Sequence, residues 1–366
     1  MRIAVATDAW FPQVNGVVRS LATTIERLRQ RDMDVETVTP DLFRSVPCPT
    51  YPEIRLALWC KRGVAKRLDR FAPQAVHIAT EGPIGWAARA WCLKRKVPFT
   101  TSFHTRFPDY VSVRTGIPAD WVWVVMRRFH GAAAATMAVT PNLSDELTHR
   151  GIKPVHHWPL GVDRGQFSPN APQHPDMARL KRPIQLYVGR VAVEKNLEAF
   201  LDTEVPGTKV IVGDGPALAE LQRKYPNTVF LGARHGADLA SAYASADVFV
   251  FPSLTDTFGL VNIEALASGL PVAAFAVRGP IDIIGPDGKG VHGGRKRIGA
   301  LHEDLEQAIR LALKADRKAC ATEGERYEWD ICTDRFLEGL AWRDGINLKP
   351  APATPLASKA KVAETV

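Results

Sequence analysis

The stretch FPSLTDTFGLVNIEALASGLPV, Phe251 to Val272, contains the turn that decides the fold. The apolar run VFVFPS, Val248 to Ser253, leads into this turn and predicts a buried strand. After the turn, apolar residues recur at helical spacing from Leu260 to Ala267, and Gly269 predicts the end of that helix. A strand, a glycine turn and a short helix in this order form the repeating unit of a parallel α/β sheet.

The same alternation of strand-like and helical patterns runs along most of the chain. It predicts parallel sheets with helices on both faces, and the fold class is therefore α/β. Because the series restarts after a turn-rich segment at Pro159 to Pro175, we expect two doubly wound domains that face each other. The predicted strands are Arg2 to Thr7, Asp34 to Pro40, Ala75 to Thr80, Pro98 to Phe103, Ile184 to Gly189, Lys209 to Gly213, Thr228 to Gly232, Asp247 to Ser253 and Pro271 to Phe275.

Length and composition indicate an ordinary globular protein. A chain of 366 residues exceeds what one hydrophobic core usually organises, which agrees with two domains. The five cysteines are scattered and lack a C-x-x-C spacing, so we expect a reducing cytoplasm and neither a disulfide framework nor a zinc site. The first ten residues lack the apolar segment of a signal peptide, and no run of 18 apolar residues predicts a membrane span.

The positive charge of the chain lies in its first half. Residues 1–166 hold 23 Lys and Arg against 14 Asp and Glu, whereas residues 167–366 hold 24 against 25. A basic surface suits nucleic acid, an anionic membrane or an anionic substrate. The segment DWVWVVMRRF, Asp120 to Phe129, combines Trp with cations and favours an interfacial helix, although a half-buried helix with solvated cations fits equally well.

Two cations follow the strand that ends at Gly189. Arg190 and Lys195 occupy the loop before the next helix, and ligands of open α/β sheets bind at the carboxyl ends of strands. A departing diphosphate needs positive charge at that place, so this pair predicts a diphosphate site. The alternative is a solvated loop with two surface charges.

Other strand ends carry weaker signals. Gly16 precedes a helix and would let a phosphate approach its first amides, or it is a plain turn. Asp214 lies in the tight turn VGDGP and would be a neighbour of the ligand. His104 follows a strand in the basic half and is a candidate substrate contact. The adjacent pair His156 and His157 would point to opposite faces of a strand, so we do not expect it to bind metal.

The spacing of Asp256 and Glu264 separates two kinds of chemistry. Eight residues of helix place the two carboxylates roughly 12 Å apart, which is wider than the ~5–9.5 Å that glycoside hydrolases use. The distance suits two ends of a sugar nucleotide. Asp256 would bind the sugar hydroxyls and Glu264 the ribose, while the helix amides at Phe258, Gly259 and Leu260 face the phosphates.

Taken together, these segments resemble the glycosyltransferases of family 4, which are retaining enzymes with the GT-B fold. The resemblance covers about residues 1–345 and depends on FPQVNGVVRSL, HIATEGPIG, TSFHTRFPDY, VGRVAVEKN, VGDGP and TDTFGLVNIEALASGLPV. Two departures stand out. Asp256 replaces the first Glu of the family's E-x7-E motif, and Asn15-Gly16 replaces the usual Gly-Gly.

The resemblance implies a division of the chain and a role for each candidate residue. The expected parts are an acceptor domain at 1–165, a nucleotide-sugar domain at 166–325, a helix returning to the first domain at 326–345 and a disordered tail at 346–366. Arg190 and Lys195 would hold the diphosphate, Glu264 the ribose, and Asp256 with His104 the donor sugar. Asp214 and Arg234 are expected as further neighbours of the donor. No metal, other cofactor or protein nucleophile is implied, because the leaving phosphate would accept the proton of the acceptor.

The acceptor is the least determined part of this interpretation. Within the family, the motifs resemble bacterial mannosyltransferases and synthases of glycosylated diacylglycerol. We therefore expect transfer of a hexose or hexuronic acid from a UDP- or GDP-sugar to a lipid at the cytoplasmic face of an anionic membrane. A mannosyltransferase acting on a phosphoinositide or polysaccharide is the alternative, and the oligomeric state is open. A nucleic-acid binder would need aromatic residues among its cations, and KRGVAKRLDR, Lys61 to Arg70, has none before Phe71. An oxidoreductase would need G-x-G-x-x-G after a strand, and no predicted strand is followed by it.

Overall fold

The computed structural model describes residues 1–13, 15–48, 51–104, 116, 118–254, 256 and 258–343. The predicted tail at 346–366 lies outside the described residues, as do the positions of the TSFHTRFPDY motif after His104. No helix in the described part of the chain combines the length and apolarity that crossing a bilayer requires.

The strands and helices alternate in the described chain. The strands are β1 (Arg2–Ala6), β2 (Asp34–Val38), β3 (Ser45–Cys48), β4 (Tyr51–Ala57), β5 (Ala75–Ile78), β6 (Thr100–Phe103), β7 (Ala135–Ala138), β8 (Val155–His157), β9 (Ile184–Val188), β10 (Thr208–Val212), β11 (Val229–Gly232), β12 (Val248–Phe251), β13 (Val272–Ala274) and β14 (Gly299–Leu301). The helices are α1 (Gly16–Gln30), α2 (Lys61–Phe71), α3 (Pro83–Arg95), α4 (Ala119–His130), α5 (Pro141–His149), α6 (Leu197–Leu201), α7 (Leu218–Lys224), α8 (Gly236–Ser245), α9 (Leu260–Ala267), α10 (Pro280–Ile284), α11 (Leu305–Ala312), α12 (Arg317–Gly324) and α13 (Trp329–Gly339).

Two parallel sheets of six strands form the two domains. The order is β2-β1-β5-β6-β7-β8 in the N-terminal domain and β11-β10-β9-β12-β13-β14 in the C-terminal domain. In each sheet the strand order reverses beside the first strand of its series, and the crevice at such a reversal is where ligands bind in open α/β folds. The predicted α/β class with two doubly wound domains is therefore confirmed.

Side chains of β1 show why each sheet needs helices on both faces. Ile3 and Val5 point to the layer that contains α1 and α13, whereas Ala4 and Ala6 point to the layer that contains α2 and α3. Successive residues of a strand face opposite sides, so a strand that is apolar throughout is buried on both.

Three strands and one hairpin were not predicted. β7 (ATMA) and β8 (VHH) have four and three residues with one β-branched residue each, and β14 is only three residues long. The antiparallel pair β3 and β4 contains prolines, which are uncommon inside strands. Hydrogen bonding to a neighbouring strand holds these segments extended in spite of their weak local preference.

The last described helix belongs spatially to the N-terminal domain. α13 contacts α1, where Arg31 forms ion pairs with Asp330 and Asp334. His156 Nε2 lies 2.8 Å from the carbonyl oxygen of Arg335. The chain thus crosses between the domains twice, once after β8 and once before α13.

Candidate active site

The turn before α9 depends on a glycine. Gly259 has a left-handed backbone with φ +82°, and a Cβ at this position would lie 2.7 Å from Asn262 Nδ2. Phe258 is buried beside this turn. The helix therefore begins directly at Leu260, with its first amides at the end of the sheet where the crevice lies.

Glu264 is a buried carboxylate with a partner on each oxygen. Its side chain is 3% exposed. The hydroxyl of Tyr243 on α8 donates to Oε2 at 2.9 Å, and Arg19 Nη2 on α1 donates to Oε1 at 2.8 Å. The pKa of Tyr243 lies well above its usual value, because the phenol is buried and the neighbouring carboxylate opposes its ionisation.

Lys195 and Asp256 contact each other directly. Lys195 Nζ lies 2.7 Å and 2.8 Å from the two carboxylate oxygens of Asp256. The loop of Lys195 is held to the end of β12 because Asn196 Nδ2 donates to the carbonyl oxygen of Pro252. The residue expected at the diphosphate and the residue expected at the donor sugar are thus neighbours.

The loops after β9 and β10 lie very close together. A Cβ on Gly213 would lie 1.8 Å from the carbonyl oxygen of Gly189, so only glycine fits there. Arg190 is exposed, and its carbonyl accepts from the buried hydroxyl of Tyr187. Asp214 is also exposed, and its carboxylate accepts from the amide of Gly215.

Arg234 follows β11, and its Nε lies 3.1 Å from Asp238 in the first turn of α8. The sheet order places this residue, Asp214, Arg190 and Asp256 after four successive strands, β11, β10, β9 and β12. All four residues thus lie at the same edge of the C-terminal sheet.

Gly16 of the N-terminal domain lies close to this edge of the C-terminal sheet. It is the first residue of α1, whose N-terminus is capped by Asn15 through Oδ1 and the amide of Val18. A Cβ on Gly16 would lie 3.5 Å from Leu260 Cδ1. The N-termini of α1 and α9 therefore face each other across the crevice, and both helix dipoles favour an anion between them.

His104 lies in a buried polar network at the end of β6. Its Nε2 is 2.8 Å from Ser102 Oγ, which donates to the carbonyl of Ala79. Burial lowers the pKa of His104 to about 4, so the imidazole is neutral near pH 7. The ring of Trp158 packs edge-on against it.

A second group of interdomain contacts lies beside α5 and α10. Arg278 forms an ion pair with Glu146, and Asp282 accepts hydrogen bonds from Thr140 and Asn142 of the N-terminal domain. Burial raises the pKa of Asp282. These contacts do not involve any of the predicted site residues.

Two residues of the site were missed by sequence reasoning. Arg19 lies one helical turn after Gly16 on the same face of α1, and this i, i+3 spacing was the signal that could have revealed it. Tyr243 sits inside the apolar pattern of α8 and carries no signal of its own. The candidates that the structure brings together are Lys195 with Asp256, and Gly16 with Leu260; His104 and Arg234 remain in separate local networks.

Family models match both halves of the chain. Glycosyltransferase Family 4 matches residues 14–166, and Glycosyl transferases group 1 matches residues 182–313. The chain is 34% identical to a GDP-mannose-dependent alpha-mannosyltransferase of Mycobacterium tuberculosis over 92% of this chain and 95% of that protein. It is 32% identical to the sulfoquinovosyl transferase SQD2 of Arabidopsis thaliana, over 89% and 70% of the two chains. It is 28% identical to an alpha-monoglucosyldiacylglycerol synthase of Streptococcus pneumoniae, over 75% and 71%.

Solved structures share the architecture at lower identity. Sucrose-phosphate synthase from Thermosynechococcus elongatus superposes with a TM-score of 0.67 at 21% identity, covering 91% of this chain and 96% of that one. Anabaena Alr3699/HepE in complex with UDP superposes with a TM-score of 0.66 at 14% identity, covering 92% and 99%. At these identities the similarity concerns the fold.

Proposed function

This chain belongs to glycosyltransferase family 4 and is a glycosyltransferase with the GT-B fold, and on that premise we propose that it moves a hexose or hexuronic acid from a nucleotide diphosphate sugar to a membrane lipid. The donor is UDP- or GDP-linked, and the acceptor is diacylglycerol or a similar lipid, so that the product is a glycolipid. Relatives named as a glucosyldiacylglycerol synthase and a sulfoquinovosyl transferase support this proposal.

The single observation that supports binding of a nucleotide-sugar donor is the row of polar groups along one edge of the C-terminal sheet. Glu264 is proposed to accept the ribose hydroxyls, since it is a buried carboxylate at the opening of the crevice. Lys195 and Arg190 neutralise the diphosphate, together with the facing N-termini of α1 and α9. Asp256 then exchanges its bond with Lys195 for the hydroxyls of the donor sugar.

The proposed reaction keeps the anomeric configuration. The bond between the anomeric carbon and the diphosphate oxygen breaks, and the acceptor hydroxyl forms the new bond on the same face. The departing phosphate takes the proton of that hydroxyl, and Lys195 and Arg190 stabilise the charge it gains. We assign His104 a neutral hydrogen-bonding role beside the donor sugar, because its imidazole carries no charge near pH 7. No metal takes part in this scheme.

A basic and apolar surface of the N-terminal domain supports the lipid acceptor. Helices α2, α3 and α4 share one apolar core on the same side of the first sheet. Their outer side exposes tryptophans at 86% and 73%, further large apolar side chains and several cations; it consists of Trp59, Lys61, Arg62, Leu93, Lys94, Trp121, Val124, Val125 and Arg128, and we call it the basic apolar face. Trp and cations together suit the interface of an anionic bilayer.

Trp59 adds a local argument for this surface. Its backbone is left-handed with φ +48°, a conformation that is unfavourable for a residue with a bulky side chain. The indole of Trp59 is exposed to solvent, so burial in the protein core does not compensate for this strained backbone. We propose that the indole is used in binding, and that the enzyme is peripheral at the cytoplasmic face of the membrane.

A second candidate acceptor class follows from the relative with 34% identity, which is named as GDP-mannose-dependent. In that alternative, mannose is moved from GDP-mannose to a phosphoinositide or a polysaccharide. The two alternatives share the site and differ only in donor base, sugar and acceptor.

Purified protein is to be incubated with UDP-glucose, UDP-galactose, UDP-glucuronate or GDP-mannose and with one of three acceptors: vesicles that contain diacylglycerol, vesicles that contain phosphatidylinositol, or dissolved polysaccharide. Mass spectrometry identifies the product for each pair. A glycosylated diacylglycerol supports the proposal, and a mannosylated phosphoinositide or polysaccharide supports the alternative. Hydrolysis of donors without any glycolipid would contradict a lipid acceptor.

A further inference from the structure

Glu264 is bound by two donors that differ in kind. Tyr243 belongs to the same domain, is fully buried and packs against Phe167 and Phe249. Arg19 belongs to the opposite domain, and its side chain is 52% exposed. One partner is therefore part of the core of the C-terminal domain, and the other reaches across the crevice from solvent.

We propose that Arg19 and the ribose of the donor compete for the same oxygen of Glu264, so that donor binding displaces Arg19 and breaks a contact between the two domains. The inference rests on the proposed function, in which Glu264 binds ribose. Arg19 is thus a positioning residue that competes with the donor.

Access to the carboxylate supports this assignment. Oε2 faces the buried hydroxyl of Tyr243, and the side chain of Glu264 is almost without contact to solvent while Arg19 is bound to Oε1. Each carboxylate oxygen has two acceptor sites, so a vicinal diol that donates one hydrogen bond to each oxygen can bind while Tyr243 keeps its own site on Oε2. Tyr243 comes from the core, so the approach from the crevice is the side on which Arg19 lies.

The exposure of Arg19 makes the exchange feasible. A pair with one half-exposed member is weak, because the guanidinium recovers its hydration when it leaves. Tyr243 has no such alternative, since its hydroxyl would remain buried without an acceptor. The ribose thus replaces Arg19 and leaves Tyr243 in place.

Competition of this kind lowers the apparent affinity for the donor. If a fraction of the empty enzyme holds Glu264 through Arg19, the observed dissociation constant rises in inverse proportion to the remaining fraction. The same contact holds α1 near α9, so release of Arg19 also frees one link between the domains.

The test compares Arg19→Ala with wild-type full-length protein by isothermal titration with UDP and GDP. The matched control is Arg278→Ala, which removes another interdomain ion pair, one with Glu146 and not with Glu264. We expect Arg19→Ala to bind the preferred nucleotide about threefold to tenfold more tightly, as expected from loss of a partly exposed ion pair. Arg278→Ala should bind with the wild-type affinity.

A second ligand tests the contribution of the ribose hydroxyls separately from that of the base and the phosphates. The 2′,3′-dideoxy form of the same nucleotide cannot bind Glu264 as a diol, so its affinity should be the same in Arg19→Ala and wild type. Weaker binding of the ribonucleotide by Arg19→Ala, or equal tightening for both ligands, would overturn the inference while leaving the proposed function intact. Failure of wild-type protein to bind either nucleotide would overturn both.

Discussion

Lys195 and Asp256 form a two-pronged ion pair, with Nζ within 2.8 Å of both carboxylate oxygens, at the edge of the C-terminal sheet. Each side chain is about a quarter exposed, so the pair contributes little to stability. The pair joins the loops after β9 and β12, where the donor is proposed to bind, so we expect it to act in donor binding. In the proposed function, this ion pair separates when Lys195 binds the diphosphate and Asp256 binds the sugar of the donor.

Replacement of this lysine should affect catalysis and leave the fold intact. Lys195→Ala removes charge that stabilises the departing diphosphate, and we expect kcat to fall by roughly 10²–10³-fold. The free energy of unfolding should change by less than ~1 kcal/mol. Steady-state transfer assays and urea unfolding measure the two quantities, and a variant with near-normal turnover would refute the role assigned to Lys195.

The hydroxyl of Tyr243 should determine how well Glu264 binds ribose. Tyr243→Phe keeps the buried ring and removes one donor to the carboxylate, so we expect KM for the donor to rise about tenfold with kcat nearly unchanged. Tyr225→Phe is the matched control, because its hydroxyl also donates to a carboxylate, that of Asp202, but on the surface. Equal effects of the two variants on KM would contradict this assignment.

Buried histidines should make the protein less stable in acid. His104 titrates near pH 4 in the folded protein and near 6.5 when unfolded, so the unfolded state binds more protons between these values. The stability that neutral His104 contributes is complete above about pH 6.5 and is lost as the pH falls toward 4. We expect the free energy of unfolding to drop by on the order of 1–3 kcal/mol over this window.

The measurement is urea unfolding of wild type and His104→Gln at pH 7.5 and pH 5. Asp8 acts in the opposite direction, because burial raises its pKa to about 6 and its folded carboxyl takes up protons as the pH falls. That contribution is present in both proteins and cancels in their difference. A wild-type protein that loses no more stability than His104→Gln would show that His104 is not buried as a neutral group.

Loss of two cations from the basic apolar face should weaken membrane binding. The double variant Lys61→Ala, Arg62→Ala removes two charges worth about 1 kcal/mol each near an anionic surface, so vesicle affinity should fall by roughly 30-fold. Cosedimentation with phosphatidylserine and phosphatidylcholine vesicles measures it, and activity on detergent-dispersed acceptor should be retained.

The apolar part of the same surface has its own control. Trp121→Ser should weaken binding to anionic vesicles, whereas Ile331→Ser should not, because Ile331 is exposed on α13 at the other side of the sheet. Equal loss from both variants would mean that the contact is not confined to the basic apolar face. Binding to single-stranded or duplex DNA in place of vesicles would favour a nucleic-acid partner.

Sequence reasoning was strongest where local pattern and tertiary role agree. The assignment to family 4, the GT-B fold and the glycosyltransferase activity are confirmed. These predictions depend on motifs such as the turn at Gly259 and on apolar strands such as IQLYV and VFVF, which form the same structure locally and in the folded protein. Short strands like ATMA were missed, since their extended form comes from neighbours.

The pairing of site residues could not be predicted in this way. Lys195 and Asp256 are 61 positions apart, and Arg19 and Glu264 are 245 apart and lie in different domains. No local periodicity relates residues at such separations. The roles of all the site residues toward a donor stay predictions, those of Lys195, Asp256 and Glu264 included.

The path of α13 affects how the protein is made. Phe336 and Leu337 complete an apolar cluster whose other members include Ile3, Leu21 and Ile25 near the start of the chain. During translation, these early residues leave the ribosome hundreds of positions before their partners exist. The N-terminal domain therefore exposes part of this apolar cluster to solvent until α13 has been synthesised. We expect a nascent chain that stops before Trp329 to keep this apolar surface exposed and to bind chaperones.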